Sequence, residues 1–490
     1  MVPTPENEHE APGEVPSEPV ESKVGPGPWD ARVQFVTDAG GRAFAYRPHQ
    51  LITNRKALPT LAGLLGFDEL RPKSVETILG PDGPEELVVV RGLPNPLELA
   101  RRLRAAGFTA RPNHVFFAAA LAGAYPNPGG MPNPGGMPNP GGMPNPWGGG
   151  GGCSCGCGGW SACGPWSTRL QAPRRSSAVA TPRPSRGEGP VRKPAGSSCK
   201  VLVIDTGVNP GIKPLGSASS SYSASATEAR LQLQAVTADS DPDPWDDDHN
   251  RLLDPFSGHG TFIAGLIARL APGASITVDG QLTSFGDTDD AVIAKALVDR
   301  FSGSPDDEPP FDVVSMSFSG FSEDDDPPIA LSQAIAHIQA KYRTDEDLEP
   351  PYEFIGERVV FVSAAGNDAT CRPTWPATFE SVIAVGALGT DGPAPFTNFG
   401  PWVQAAAPGV DIISTFFDLT AEGAREDGGD FDGWAQWSGT SFSTPIVAAE
   451  IAWEWMTRGC SGPVGATASW MLQRSALYRH PWLGTVVNVC

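Results

Sequence analysis

Ser438-Gly439-Thr440-Ser441-Phe442-Ser443-Thr444-Pro445-Ile446-Val447 puts a serine on a glycine turn at the mouth of an apolar helical run. A serine hydroxyl is a weak nucleophile at neutral pH unless a base takes its proton as it attacks. That need directs attention upstream, to a histidine and a carboxylate. Asp205 closes the apolar run Val201-Leu202-Val203-Ile204, and His259 stands in Gly258-His259-Gly260-Thr261, just ahead of Phe262-Ile263-Ala264-Gly265. Each residue alone has a plainer reading: an Asp after an apolar run caps a turn, a His beside Gly is structural, and Ser-Gly-Thr-Ser caps a helix. Together, in the order Asp, His, Ser and each at an element end, they favour a catalytic triad.

These motifs resemble those of the subtilisin-like (S8) serine peptidases, and the likeness runs from about Lys200 to about Leu472. Phe361-Val362-Ser363-Ala364-Ala365-Gly366-Asn367 is similar to the family's strand carrying the oxyanion-hole asparagine. Trp375-Pro376-Ala377 and the stretch from Asn398-Phe399-Gly400 to Ala407-Pro408-Gly409-Val410-Asp411-Ile412 extend it. The resemblance implies a serine endopeptidase working through an acyl-enzyme: Ser441 as nucleophile, His259 as base and then acid, Asp205 holding the imidazole, and Asn367 donating to the oxyanion. It implies no cofactor for the chemistry. It also implies that Ser317, Phe318, Ser319 and Gly320, with Ala364, Ala365 and Gly366, flank the slot for an extended polypeptide substrate. Phe262 stands where the family often has a second His and Phe442 where Met is common; both are apolar and are expected to pack. The rival reading is a non-catalytic peptide-binding scaffold with a metal- or partner-binding Cys-rich linker.

The predicted fold class is α/β: a mostly parallel sheet built from Val201–Asp205, Val313–Met316, Val359–Ser363 and Val382–Val385, with crossover helices over Asp290–Arg300 and Ile329–Ala340. Pro445–Met456 is apolar nearly all round and reads as a buried helix. Composition divides the chain further. Residues 1–30 are Pro- and Glu-rich and read as disordered. Residues 31–122 read as a small α+β domain, with paired strands at Val33–Val36 and Ala43–Tyr46, helices over Leu58–Phe67 and Leu97–Ala106, and strands at Leu87–Val90 and Thr109–Phe117. Such a module directly before a subtilisin-like domain resembles that family's inhibitory propeptide, an intramolecular partner, with Arg111-Pro112-Asn113-His114-Val115 in its last strand. His114 reads as a surface residue.

Residues 123–198 form a linker. Met-Pro-Asn-Pro-Gly-Gly recurs at Met131 and Met137, with variants at Tyr125 and Met143, and Pro/Gly periodicity of this kind buries no core. Cys153, Cys155, Cys157 and Cys163 follow; their single-residue gaps fit a structural zinc site poorly. Self-cleavage is expected between about Ala118 and Cys199, where the chain can reach a cleft. Residues 199–490 form the larger domain; its Cys199, Cys371, Cys460 and Cys490 allow two disulfides of undeducible pairing, and in a reducing cytosol they stay thiols.

Charge is uneven. Residues 124–199 carry 7 Lys and Arg against 1 Asp or Glu, whereas residues 200–490 carry 15 against 40. An acidic domain argues against nucleic-acid binding, and the basic segment around Arg174-Arg175 is expected to lie on it. The insert with Asp239, Asp241, Asp243, Asp246, Asp247 and Asp248 reads as a solvated loop, with a calcium site or an acidic rim favouring basic substrates as the alternatives and no metal ligand assigned. There is no signal-peptide pattern and no apolar run long enough to span a bilayer, so a cytoplasmic location is expected, with secretion by a non-standard route as the alternative.

Overall fold

The computed structural model describes residues 32–38, 40–80, 83, 85–119, 174–175, 198–213, 221–238, 243, 245–247, 253–305, 307–344, 354, 356–390, 392–419, 431–474 and 479–487. The hexapeptide repeat, the Cys153–Cys163 cluster and the N-terminal 31 residues lie outside them.

The small unit is α+β, as its alternation of strand and helix patterns implied. Gln34–Thr37 (β1) and Ala43–Asn54 (β2) are followed by Leu58–Leu64 (α1), Val75–Leu79 (β3), Leu87–Arg91 (β4), Pro96–Ala105 (α2) and Ala110–Ala118 (β5). β2 pairs antiparallel with β1, β4 and β5. α2 starts where Asn95 accepts the Glu98 N–H at 3.3 Å and Pro96 fills a position that needs no donor. α1 stops at Leu64, short of the expected Phe67. Period-two alternation gives the sheet two apolar faces. Leu51, Val88 and Val90 pack with Leu61, Leu99 and Leu103 of the helices, while Ile52, Leu87 and Val89 face the larger unit.

The larger unit is α/β. After the two-residue strand Arg174–Arg175 (β6) come Lys200–Asp205 (β7), Ala224–Gln232 (α3), Val236–Ala238 (β8), His259–Leu270 (α4), Ser275–Gly280 (β9) and Asp287–Asp289 (β10). Then follow Asp290–Arg300 (α5), Val313–Met316 (β11), Phe318–Ser319 (β12), Ile329–Tyr342 (α6), Val360–Ala364 (β13), Val382–Gly389 (β14) and Gly392–Pro393 (β15). Ala405–Pro408 (β16), Ile412–Asp418 (β17), Asp432–Trp437 (β18), Thr440–Thr457 (α7), Val464–Arg474 (α8), Arg479–His480 (β19) and Gly484–Val486 (β20) complete it. Strands β8, β9, β7, β11, β13, β14, β16 and β20 lie side by side in that order and pair in parallel. Continuous apolar strands such as Val201-Leu202-Val203-Ile204 are what a parallel sheet buried on both faces requires.

α7 is the central helix and is buried from Thr440 to Ala452. It begins five residues before the expected Pro445, because Phe442 is the one apolar side chain among the Thr and Ser residues 440–444 and sets no helical period by itself. Pro445 cannot donate to the Ser441 carbonyl one turn back. The Ser317 hydroxyl donates to that carbonyl instead, at 2.9 Å. β6 adds antiparallel to β18, with Arg175 opposite Ala435 and Arg174 opposite Gln436; the rest of the basic segment lies outside the described residues.

Three further expectations change. Cys371 is disulfide-bonded while Cys199 and Cys460 remain thiols, so the larger domain is not uniformly thiol. His114 is fully buried, not a surface residue: its ring packs edge-on against Phe44 and its Nε2 accepts the Glu323 N–H at 3.1 Å. Burial, aided by Arg111 and Arg104, pushes its pKa down to about 3. Asp243, assigned to a solvated loop, is buried as well. Among the described residues no helix is long and apolar enough to cross a membrane.

Candidate active site

The carboxyl ends of β7, β11 and β13 open on one side of the parallel sheet, and each delivers a functional group there. Asp205 ends β7. Its Oδ1 accepts the Thr206 N–H at 2.8 Å and faces His259 Nδ1 at 2.7 Å. His259 is the first residue of α4. Gly258 before it has φ 78°, and a Cβ there would collide with the Phe416 ring, so only glycine fits this approach. The imidazole is walled by Phe256, Trp437 and Phe442, with ring centroids 6.0, 5.5 and 5.5 Å away. Its Nε2 is buried and meets no hydrogen-bond partner among the described residues.

Ser441 lies in the first turn of α7, where helical N–H groups and the macrodipole favour developing negative charge. Its Oγ donates to the Ser317 carbonyl at 2.8 Å, not to His259. Asn367 follows β13. The Thr440 N–H and hydroxyl both donate to its Oδ1, at 3.0 and 2.9 Å, which turns its amide NH₂ toward the cleft. Sequence reading missed Thr440; its place beside the candidate nucleophile was the available signal.

A strand of the small unit lies alongside Ser441. β5 runs antiparallel between β10 and β12, with Phe117 opposite both Asp287 and Ser319, Phe116 opposite Thr288, Val115 opposite Asp289, and Ala118 opposite Phe318. The Ala118 N–H donates to the Gly286 carbonyl at 2.8 Å and the Ala119 N–H to that of Ser317 at 3.0 Å. The Ala119 carbonyl oxygen accepts from the Ser441 N–H at 2.9 Å and from Asn367 Nδ2. Of the seven expected slot residues, Ser317 to Gly320 form the edge along β5. Ala364 to Gly366 line the floor, where Gly366 N–H donates to Thr440 Oγ1 at 3.2 Å and the Ala365 carbonyl accepts from Thr374 and Asn398. The opposite edge, Gly286 to Asp289, went unread.

Phe262 and Phe442 pack on each other, centroids 4.6 Å apart, as two apolar replacements should. Beneath α4, Asp243 accepts from the Gly258 N–H at 3.1 Å, the Thr261 N–H at 3.3 Å and the Thr261 hydroxyl at 3.0 Å. Burial pushes its pKa up to about 7, against those hydrogen bonds and with the nearby Asp205 charge. Among the described residues no cluster of three His, Cys, Asp or Glu could hold a metal ion; Asp239, Asp241 and Asp248 lie outside them.

The profile of the subtilase family, peptidase S8, matches residues 196–456, more than half of the chain. The chain belongs to the subtilase family. Among the relatives of this subtilase, the thermophilic serine proteinase of Bacillus sp. (strain AK1) is 44% identical over 94 residues, 19% of this chain and 20% of its own length. The intracellular serine protease of Paenibacillus polymyxa is 28% identical over 224 residues, 42% of this chain and 57% of that one. Subtilisin Savinase of Lederbergia lenta is 27% identical over 206 residues, 40% and 62% respectively. The chain thus spans less than two thirds of each of these relatives.

Proposed function

We propose that this subtilase is a serine endopeptidase whose small N-terminal domain is an intramolecular inhibitor removed by self-cleavage after Ala119. One observation carries the reading: a carbonyl oxygen of the chain itself sits between the Ser441 N–H and the Asn367 amide, at the end of a strand held on both sides by the cleft. A donor pair aimed at one oxygen beside a serine is what a developing oxyanion needs.

In the proposed reaction, rotation of Ser441 about its Cα–Cβ bond takes Oγ from the Ser317 carbonyl toward His259 Nε2. Oγ attacks the Ala119 carbonyl carbon as Nε2 takes its proton, and Asp205 stabilises the imidazolium through Nδ1–H. The oxyanion takes the hydrogen bonds of Ser441 N–H and Asn367. Collapse breaks the Ala119–Ala120 bond, His259 delivers the proton to the departing amine, and water then frees Ala119 from the acyl-enzyme by the same steps. Other polypeptides bound in the same slot follow the same course. The residues need no metal or cofactor for these steps.

The test treats wild type and Ser441→Ala with a fluorophosphonate probe and reads labelling together with the N-terminal sequence. Labelled wild type starting at Ala120, beside unlabelled and uncut Ser441→Ala, is expected. An uncut wild type that still turns over peptides removes the inhibitor reading, and an unlabelled cut chain removes the serine mechanism.

A further inference from the structure

Counting back from the proposed scissile bond, Ala119 is the first residue, Ala118 the second, Phe117 the third, Phe116 the fourth and Val115 the fifth. Directly opposed residues of an antiparallel pair share a face, with Cβ atoms about 4.5–5.5 Å apart. Asp287 therefore stands on the face of the third residue, Phe117, and Asp289 on that of the fifth, Val115. Both carboxylates come from the peptidase domain, and both are buried while β5 is in place.

The small domain neutralises them with cations that are not part of the substrate-like strand. Arg47 of β2 bridges the two, with Nη1 2.6 Å from Asp287 Oδ2 and Nε 2.7 Å from Asp289 Oδ2. Arg32, ahead of β1, lies 3.5 Å from Asp287 Oδ1 with its guanidinium 5.3 Å above the Phe285 ring. A carboxylate with an aromatic face beside it is a guanidinium site, and here a guanidinium is seated in it. When the small domain leaves, Arg32 and Arg47 leave with it. A substrate strand replaces the backbone of β5 but brings no β2.

Resting on the endopeptidase reading above, we propose that the mature domain selects substrates with arginine at the third residue before the scissile bond. Its guanidinium lies over Phe285 and pairs with Asp287, as that of Arg32 does in the intact chain, and takes the place on Asp287 that Arg47 also fills. Asp287 Oδ1 accepts the Thr283 hydroxyl, which leaves Oδ2 for the guanidinium; Asp289 contributes less at this position because it stands opposite the fifth residue and its Oδ1 caps α5 through the Val292 N–H at 3.0 Å. The first residue stays small, like Ala119, and the fourth is large and apolar, like Phe116 against Phe318 at 5.9 Å.

The experiment uses full-length protein after self-processing and three quenched peptides of the form Phe-Xaa-Ala-Ala, with Xaa arginine, glutamine or glutamate. Cross-strand ion pairs contribute up to ~1 kcal/mol and like charges cost as much, so kcat/KM for arginine over glutamate should be about fivefold or more at low salt. The ratio should shrink in 1 M NaCl and approach unity in Asp287→Asn. Because the ratio is internal to each protein, partial misfolding of a variant scales both rates alike. Equal rates for the arginine and glutamate peptides, or a preference that survives in Asp287→Asn, overturn the proposal while the peptidase reading stands. Failure to cleave all three, with Ser441 unlabelled by the phosphonate, overturns both.

Discussion

Thr440 shows how much of this site depends on a residue that takes no part in bond making. Its hydroxyl accepts the Gly366 N–H and joins its own N–H in donating to Asn367 Oδ1, so Thr440 helps to hold the Asn367 amide with its NH₂ toward the Ala119 carbonyl. Thr440→Val keeps the shape and deletes both bonds of the hydroxyl. Losing a buried hydrogen-bonding partner costs about 1–3 kcal/mol, so kcat should fall about tenfold with little change in KM; an unchanged kcat shows that the amide holds its orientation without the hydroxyl. For comparison, removing the oxyanion-hole asparagine of subtilisin itself costs about 10²–10³ in kcat. Asp290 tests a different property. Its two oxygens accept the Leu331 and Ala330 N–H groups and hold α5 to the start of α6. Burial pushes its pKa from 3.8 up to about 7. The folded state therefore keeps a proton that the unfolded state releases, and the stability from this carboxyl falls as pH rises from about 4 to about 7 and is level above. In a Ser441→Ala background, Asp290→Asn should be less stable than its parent at pH 5, and the deficit should narrow by pH 8. A gap in Tm that is constant between these pH values rules out the shift.

At the scale of elements, the strand-in-slot arrangement is the feature on which function turns. β5 lies so close to the segment after β12 that a Cβ on Gly320 would stand 2.7 Å from the Val115 carbonyl oxygen and 2.9 Å from the Phe116 ring. Gly320→Ala should raise KM for peptides and slow self-cleavage, each by roughly tenfold, while phosphonate labelling of Ser441 is retained because the probe does not span that edge. Unaltered KM places substrates elsewhere. The physical signals that sequence carries explain which elements were legible. Val313–Met316 and Asp290–Arg300 coincide with their expected bounds, because a mostly apolar, β-branched run and a stretch capped by Asp289 are local properties. β10, Asp287-Thr288-Asp289, has no apolar residue; it is a strand only because β5 pairs with it, and pairing partners are not written locally. His114 and Asp243 were misread for the same reason. A polar residue's burial is decided by what folds over it, the Glu323 loop in one case and the start of α4 in the other.

At the scale of the whole molecule, the two domains meet through the paired strand β5 and through an apolar seat beside it, with charge around both. Ile52, Ile78, Leu79, Leu87 and Val89 rest on Ala291, Ala294, Ala330 and Ala334 of α5 and α6, and such alanine-lined helix faces give the sheet a flat seat but modest buried area. The charges are more specific. Arg101 and Arg104 of the small domain reach Glu323 at 3.1 and 3.0 Å, Arg111 lies 3.6 Å from it, and the Glu323 side chain is 1% exposed. Next to it Arg42 pairs with Asp324 and Asp325 at 3.3 and 3.0 Å. The basic residues belong to the small domain and the acidic ones to the larger, so the proposed cleavage after Ala119 would leave a non-covalent complex in which these ion pairs add to the β5 pairing and the apolar seat. Glu323→Gln removes the shared anion and leaves three guanidinium groups without it. Breaking a buried network from one side is strongly destabilising, and here the cost falls on the complex, not on the peptidase core. The variant should cut after Ala119 at the wild-type rate yet show a shorter lag between cutting and full peptidase activity. Added NaCl should shorten the lag of wild type and, to a smaller extent, that of Glu323→Gln, which keeps the pairs of Arg42, Arg47 and Arg111 with Asp325, Asp287 and Asp326. Equal lags at every salt concentration assign the inhibition to the strand β5 and the apolar seat alone.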